Sequence, residues 1–219
     1  MLDAVISLVA PPLCGICAAP CEPRRNICPS CSRQLGREQP RHTILPCGLE
    51  VISAASYEGV PRELVAKLKY ASRIGLAEVA AELMVRALGT ARPDWIVSVP
   101  PAPARERARG FDNAHLLARL VAKLAPSGRA GVCLARDDGP RQVGRSRAAR
   151  LADPPRIRLL RENIRLRGDD LWLVDDVVTT GATISACASV LREAGARRVR
   201  ALTFACAEAS GLGDSGLAA

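Results

Sequence analysis

Apolar and polar positions follow two rhythms along this chain. Residues 50–57 read as a strand. Residues 60–70 carry Val60, Leu64, Val65 and Leu68 at helical spacing, with Lys67 and Lys69 turned outward. An alanine- and leucine-rich helix is expected over 76–88, a strand over 94–99 ending at Pro100-Pro101, and a helix over 113–124. A strand over 130–135 follows, then a strand over 171–176, a helix over 184–194 closing at Gly195, and a last strand over 198–205. Strands alternating with helices predict an α/β protein with a mainly parallel sheet covered on both faces. The stretch 32–47 is polar, contains Pro40 and Pro46, and reads as a boundary in which His42 is solvated. The expected units are an amino-terminal helix and module over 1–40, a main domain over 48–208, and a small-residue tail over 209–219.

With 219 residues, 48% of them apolar, the chain is long enough for one full domain plus a small module. No apolar run approaches a membrane span. The opening stretch 2–10 has Asp3 in place of a basic region and runs into Pro11-Pro12, so a secretory signal is not expected. It reads as a short amphipathic helix packed on the body, and the expected location is cytoplasmic, without membrane insertion. A net charge of +9 suits polyanionic partners, but an arginine-rich solvated surface explains it equally well, so charge decides nothing alone.

Cysteine usage changes the picture more. Five of the nine cysteines fall in the first 31 residues, and clustering of that kind in an intracellular chain points to metal rather than disulfides. Cys14-x2-Cys17 and Cys28-x2-Cys31 can form two knuckles that close a tetrahedral structural Zn²⁺ site. So short a segment buries little apolar surface, and metal binding would supply its folding free energy. Cys21 could substitute as a ligand but lacks a C-x2-C partner, and Cys47 reads as a free thiol. The module is structural or a docking surface.

The densest chemistry lies in Leu171-Trp172-Leu173-Val174-Asp175-Asp176-Val177-Val178-Thr179-Thr180-Gly181-Ala182-Thr183. An apolar strand ends in two carboxylates, a hydroxyl-rich loop follows, and a helix begins. The backbone N–H groups of the loop, the three threonine hydroxyls and the unpaired amides of the first helical turn converge. The positive end of the helix dipole joins them as a site for a phosphate dianion. Gly181 lets the backbone approach a ligand closely. Asp175 and Asp176, at the carboxyl end of the strand, can accept hydrogen bonds from vicinal ribose hydroxyls. A plain capping turn needs one Asp and has no use for three threonines around a glycine. Upstream, 99–110 begins Pro-rich, carries Arg105, Arg107 and Arg109, and has Gly110 as a hinge. It suits a closing lid over a pyrophosphate, the alternative being a mobile solvated loop. A second basic stretch (Arg136, Arg141, Arg145, Arg147, Arg150) either covers the site or is a surface loop.

The run 171–183 resembles the phosphoribosyl-pyrophosphate (PRPP) signature of type I phosphoribosyltransferases, with every position filled. The resemblance widens through Tyr57-Glu58-Gly59, Leu68-Lys69-Tyr70, Asp94-x3-Ser98-Val99-Pro100, Arg109-Gly110-Phe111 and Arg136…Gln142. These stand in the order of the ComF family, and the likeness spans roughly residues 12–207. It implies a zinc module ahead of a phosphoribosyltransferase-type domain that binds PRPP with Mg²⁺ and releases pyrophosphate. Asp175, Asp176, Arg107 and Arg109 would serve catalysis, and Thr179, Thr180, Gly181, Ala182, Thr183, Val99, Pro100 and Arg105 would bind PRPP and its phosphates. Three departures stand out: Asp112-Asn113 where the family reads Asn-Gln, and Arg145 and Asp153 where it has Leu and Asn. Purine-type relatives place a carboxylate where Thr179 stands, so no general base is offered there, and the acceptor, turnover and oligomeric state stay open. The family's association with DNA uptake implies a second reading, a non-enzymatic accessory that binds single-stranded DNA or a helicase partner. An aromatic content of 3% weakens it, since single-strand binding leans on stacking platforms; Trp95 and Trp172 fall in expected strands and read as core. His115 is expected to be structural. The run 211–216 fits G-x-G-x-x-G but no helix follows it, which removes a dinucleotide fingerprint.

Overall fold

Two nine-residue strands, rich in apolar residues, stand at the centre of the sheet, and the rest of the chain is laid against them. The structure is a computed structural model that describes residues 12–22, 25–68, 74–126, 128–131, 133–137, 155–160 and 169–207. Its elements in chain order are α1 (Pro29–Gly36), β1 (Arg41–Ile44), β2 (Glu50–Ser56), α2 (Gly59–Leu68), α3 (Ile74–Leu88) and β3 (Trp95–Ser98). Then come α4 (Pro103–Arg109), α5 (Asn113–Leu124), β4 (Arg129–Gly131), β5 (Leu134–Arg136), β6 (Ile157–Leu159), β7 (Asp170–Val178), α6 (Ala182–Glu193) and β8 (Arg198–Cys206). The expectations for 2–10, Lys69, Tyr70, Gln142, Asp153, the arginines at 141–150 and the run 211–216 lie outside the described residues.

Six strands form one sheet in the order β1-β2-β8-β7-β3-β4. Only β1 is antiparallel to its neighbour; the other pairs are parallel. The expected mainly parallel α/β fold is therefore what the chain adopts. Central parallel strands are buried on both faces and need near-continuous apolar sequence. Accordingly Leu171, Trp172, Leu173 and Val174 are all fully buried. Trp172 and Val174 join Ala54, Leu202 and Phe204 on the face covered by α2, α3 and α5. Leu171 and Leu173 join Val51, Val199 and Ala201 on the face covered by α6 through Ile184, Cys187, Ala188 and Leu191. At the rim where β7 and β8 begin, Arg200 pairs with Asp170 at 2.6 Å and lies over the Trp172 ring at 4.3 Å.

Several elements differ from the expectation. The polar stretch 32–47 contains most of α1 and the edge strand β1. The side chains of β1 are mostly exposed, so no hydrophobic alternation betrays it; backbone pairing with β2 makes it a strand. Glu38 fastens this segment by accepting hydrogen bonds from the Ser56 N–H at 3.0 Å and its hydroxyl at 3.2 Å. The expected lid loop contains a helix, α4, with Pro103 in its first turn and Gly110 closing it at φ 75°. Residues 130–135 divide between β4 in the main sheet and β5, which pairs with β6 in a separate antiparallel ribbon. The first knuckle and α1 pack into the main core: Cys14, Ile16, Cys28, Cys31 and Leu35 belong to the same buried cluster as Leu76, Ala80 and Met84. Among the described residues, no helix is long and apolar enough to cross a membrane.

Candidate functional site

The chain leaves β3 through α5 toward β4 at one edge, and leaves β7 through α6 toward β8 on the other side. The two helices cover opposite faces. Adjacent strands whose connections diverge in this way open a crevice at their carboxyl ends, where open α/β sheets receive ligands. Two of the sequence-derived segments meet there. Val99 and Pro100 follow β3, Asp175 and Asp176 lie near the end of β7, and the Val99 N–H donates to the Val174 carbonyl at 2.9 Å. Arg107 is exposed on α4, and Arg105 and Arg109 are placed by their backbone on the same helix.

The acidic pair does not end its strand as the sequence suggested; β7 continues to Val178, which pairs with Cys206. The β7–β8 register passes over Asp176, whose N–H donates to the Asp175 carboxylate at 2.8 Å. Asp175 is half-buried. Burial above all, then the charge of Asp176 and, at longer range, that of Asp112, push its carboxyl well above the usual carboxylate range. Asp112 is itself raised by burial, although its side chain caps α5 by accepting from the His115 N–H at 3.0 Å. A carboxylate held in this way gains most from a ligand that brings hydroxyl donors or positive charge.

Between β7 and α6 only Thr179, Thr180 and Gly181 form the connection. Gly181 is the N-cap, at φ 73°, and offers no side chain to the first-turn amides, so those amides are left for other acceptors. The Thr180 hydroxyl accepts from the Ala182 N–H at 3.4 Å, and the Ser185 N–H donates to the Gly181 carbonyl at 2.8 Å. Residues 177–184 and Asp175 line a concavity of about 60 Å³, room for one phosphate-sized group beside the open crevice. The glycine serves a purpose the sequence did not suggest. A Cβ at position 181 would stand 2.5 Å from Leu45 Cδ1, so the missing side chain makes room for Leu45. Of the five arginines of the basic stretch 136–150, Arg136 alone lies within the described residues, half-buried on β5. Its charge and that of Asp175 both act on the Cys187 thiol, which burial pushes up. Leu45 and Asp112 are the residues that sequence reasoning missed. Leu45 stands beside the exposed Ile44 at the end of a polar stretch, where nothing in the sequence singles it out, and Asp112 was visible only as a departure from the family pattern.

At the amino-terminal end, the Sγ atoms of Cys14, Cys17, Cys28 and Cys31 all lie within 4.8 Å of one another. Cys14 and Cys31 are 3.8 Å apart, and Cys17 and Cys28 are 3.7 Å apart. A tetrahedron with metal–sulfur bonds of about 2.3 Å has edges of about 3.8 Å, so the quartet fits a Zn²⁺-sized ion. Tight turns aim the thiols: the Ala18 N–H donates to the Cys14 carbonyl at 3.0 Å with Ala18 at φ 59°, and Cys28 caps α1 by accepting from the Cys31 N–H. Burial raises the Cys14 thiol, but the backbone N–H groups of Cys17, Cys28 and Ile16 outweigh it and bring it down to about 6. Cys31 is pushed up by burial and by its three neighbours. Cys21 stands outside the quartet, with its thiol directed to the Arg25 carbonyl at 3.4 Å.

No protein-family model matches the chain. It is similar to the DNA utilization protein YhgH of Salmonella typhi, with 29% identity over 212 residues covering 86% of this chain and 87% of that protein. The protein of the same name from Escherichia coli K12 is 27% identical with the same coverage. Among solved structures, the allosteric regulatory enzyme of purine biosynthesis superposes with a TM-score of 0.43 at 20% identity. The match covers 64% of this chain and 30% of that chain, so less than a third of that enzyme is spanned. The purine phosphoribosyltransferase of Pyrococcus horikoshii gives a TM-score of 0.39 at 16% identity, covering 59% of this chain and 73% of that one. At such scores the superpositions add nothing to what the strand order establishes.

Proposed function

We propose that this is a ComF-like protein whose phosphoribosyltransferase-type domain binds PRPP or a related ribose 5-phosphate ligand and transfers the phosphoribosyl group with release of pyrophosphate. The observation that supports this reading is the half-buried Asp175-Asp176 pair set at the β3–β7 crevice beside a threonine-lined, glycine-capped helix start. In this reading the 5′-phosphate seats on the first-turn amides of α6 and the hydroxyls of Thr179, Thr180 and Thr183. Asp175 and Asp176 accept from the ribose hydroxyls. The backbone at Val99 and Pro100 and the arginines of α4 receive the pyrophosphate. The C1′–oxygen bond breaks with its electron pair leaving on pyrophosphate, an acceptor nucleophile supplies the electron pair of the new bond to C1′, and the fixed carboxylates stabilise the positive charge that develops on the sugar in between. Bound Mg²⁺ would supply positive charge against the leaving pyrophosphate. The cysteine quartet holds a structural Zn²⁺, and four free thiols directed at one point suit a reducing, cytoplasmic setting.

Calorimetric titration of the full chain with PRPP and Mg²⁺ tests the reading. The wild type is expected to bind. The double variant Asp175→Asn/Asp176→Asn is expected to bind at least about tenfold more weakly, a loss of about 1.4 kcal/mol. Equal affinity in the two proteins removes the ribose assignment.

The name shared by the relatives favours a second reading, in which a chain of net charge +9 handles DNA without turnover. Gel shifts with single-stranded oligonucleotides at rising salt decide it. Binding carried by phosphate contacts weakens steeply with salt, and no shift even at low salt eliminates the DNA reading.

A further inference from the structure

The tip of the β1–β2 hairpin reaches under the phosphate loop. Leu45 is 3% exposed although its neighbour Ile44 is 58% exposed. Its N–H donates to the Leu49 carbonyl at 2.9 Å and its carbonyl accepts from the Gly48 N–H at 2.8 Å, so the tip is a closed turn. Its side chain fills the space a Cβ of Gly181 would need, with Cδ1, Cδ2 and Cγ at 2.5, 2.9 and 3.3 Å from that position. Two contacts hold the same tip against α6. The Cys47 thiol donates to the Ser185 hydroxyl at 3.1 Å, and Arg192 Nη1 donates to the Cys47 carbonyl at 3.4 Å. Gly181 lies in the left-handed region at φ 73° and α6 has no side-chain cap. The direction of the first-turn amides therefore depends on what supports the glycine from below, and Leu45 is that support.

We propose that Leu45 is a positioning residue, which holds the 179–183 loop in the shape that receives a phosphate; this rests on the ribose 5-phosphate reading above. It touches no ligand and acts only through Gly181. Donors misplaced by a fraction of an ångström lose much of their electrostatic value.

The test titrates the full chain with ribose 5-phosphate and follows hydrogen exchange of the 179–185 amides in the ligand-free protein. Leu45→Ala is expected to weaken binding about tenfold and to speed exchange of those amides about tenfold relative to the rest of the chain. Leu45→Met, of similar volume, keeps both near wild type. Gly181→Ala drives a methyl group into Leu45 and puts a side chain on left-handed backbone at φ 73°, and weakens binding as well. Wild-type binding and exchange in Leu45→Ala overturn the proposal. If the wild type itself fails to bind ribose 5-phosphate, the functional reading falls, while the exchange measurement still decides whether Leu45 holds the loop.

Discussion

Asp175 carries its charge at a cost in the ligand-free protein. Burial, Asp176 and Asp112 all favour the protonated carboxyl. The unfolded chain, with an ordinary carboxyl near 3.9, releases the proton first. The stability this group contributes is fully present below that value and is lost as pH rises toward the raised folded value. Asp175→Asn is therefore expected to raise the Tm of the ligand-free protein, more at pH 8 than at pH 5. Each kcal/mol recovered corresponds to about 2–4 °C in a chain of this size. Thermal melts of both proteins at the two pH values check this, and equal Tm values at pH 8 contradict it. A residue that stabilises when removed, yet is needed for binding, is what a functional carboxylate looks like. At this scale much was legible in the chain itself. The adjacent acids and the threonines around Gly181 stand side by side, and so do the members of each C-x2-C pair. The reason for Gly181 was not legible, because the atom that excludes a Cβ belongs to Leu45.

Elements were readable where one face is apolar and hidden where it is not. The 113–124 helix coincides with α5 because Leu117, Ala118 and Val121 repeat at helical spacing and are all buried. The edge strand β1 escaped notice because its side chains are solvated and its register is set by β2 alone. Residues 99–110 read as a loop although Pro103 and Gly110 are ordinary helix punctuation for α4, a first-turn proline and a left-handed terminal glycine. The run 130–135 looked like one strand because periodicity cannot say which sheet a residue joins, and β4 and β5 join different ones. The extension of β7 beyond the acidic pair has the same origin. Val177 and Val178 are strand because Ala205 and Cys206 are there to pair with them.

At the scale of the molecule the cysteine quartet and the sheet share one core. Cys14, Ile16, Cys28, Cys31 and Leu35 are buried with Leu76, Ala80 and Met84 of α3. Loss of a metal ion from the quartet should therefore be felt by the whole protein. Zinc-loaded protein treated with a strong chelator is expected to unfold in a single transition at a Tm lower by about 10 °C or more. Calorimetry that shows an unchanged main transition after complete zinc removal refutes this coupling.

What the amino-acid sequence determined by itself was local. It specified the strands and helices that carry an apolar face, the two cysteine knuckles, and the acidic pair running into a threonine–glycine turn, because each depends on residues close together in the chain. Only the tertiary structure decided that β3 lies beside β7, bringing Val99 to Val174 and opening a crevice at the acids, and that the tip of the first hairpin lies beneath Gly181. Those neighbours are distant in sequence. They are chosen by which apolar faces bury one another, a property of the assembled sheet that no short window of residues contains.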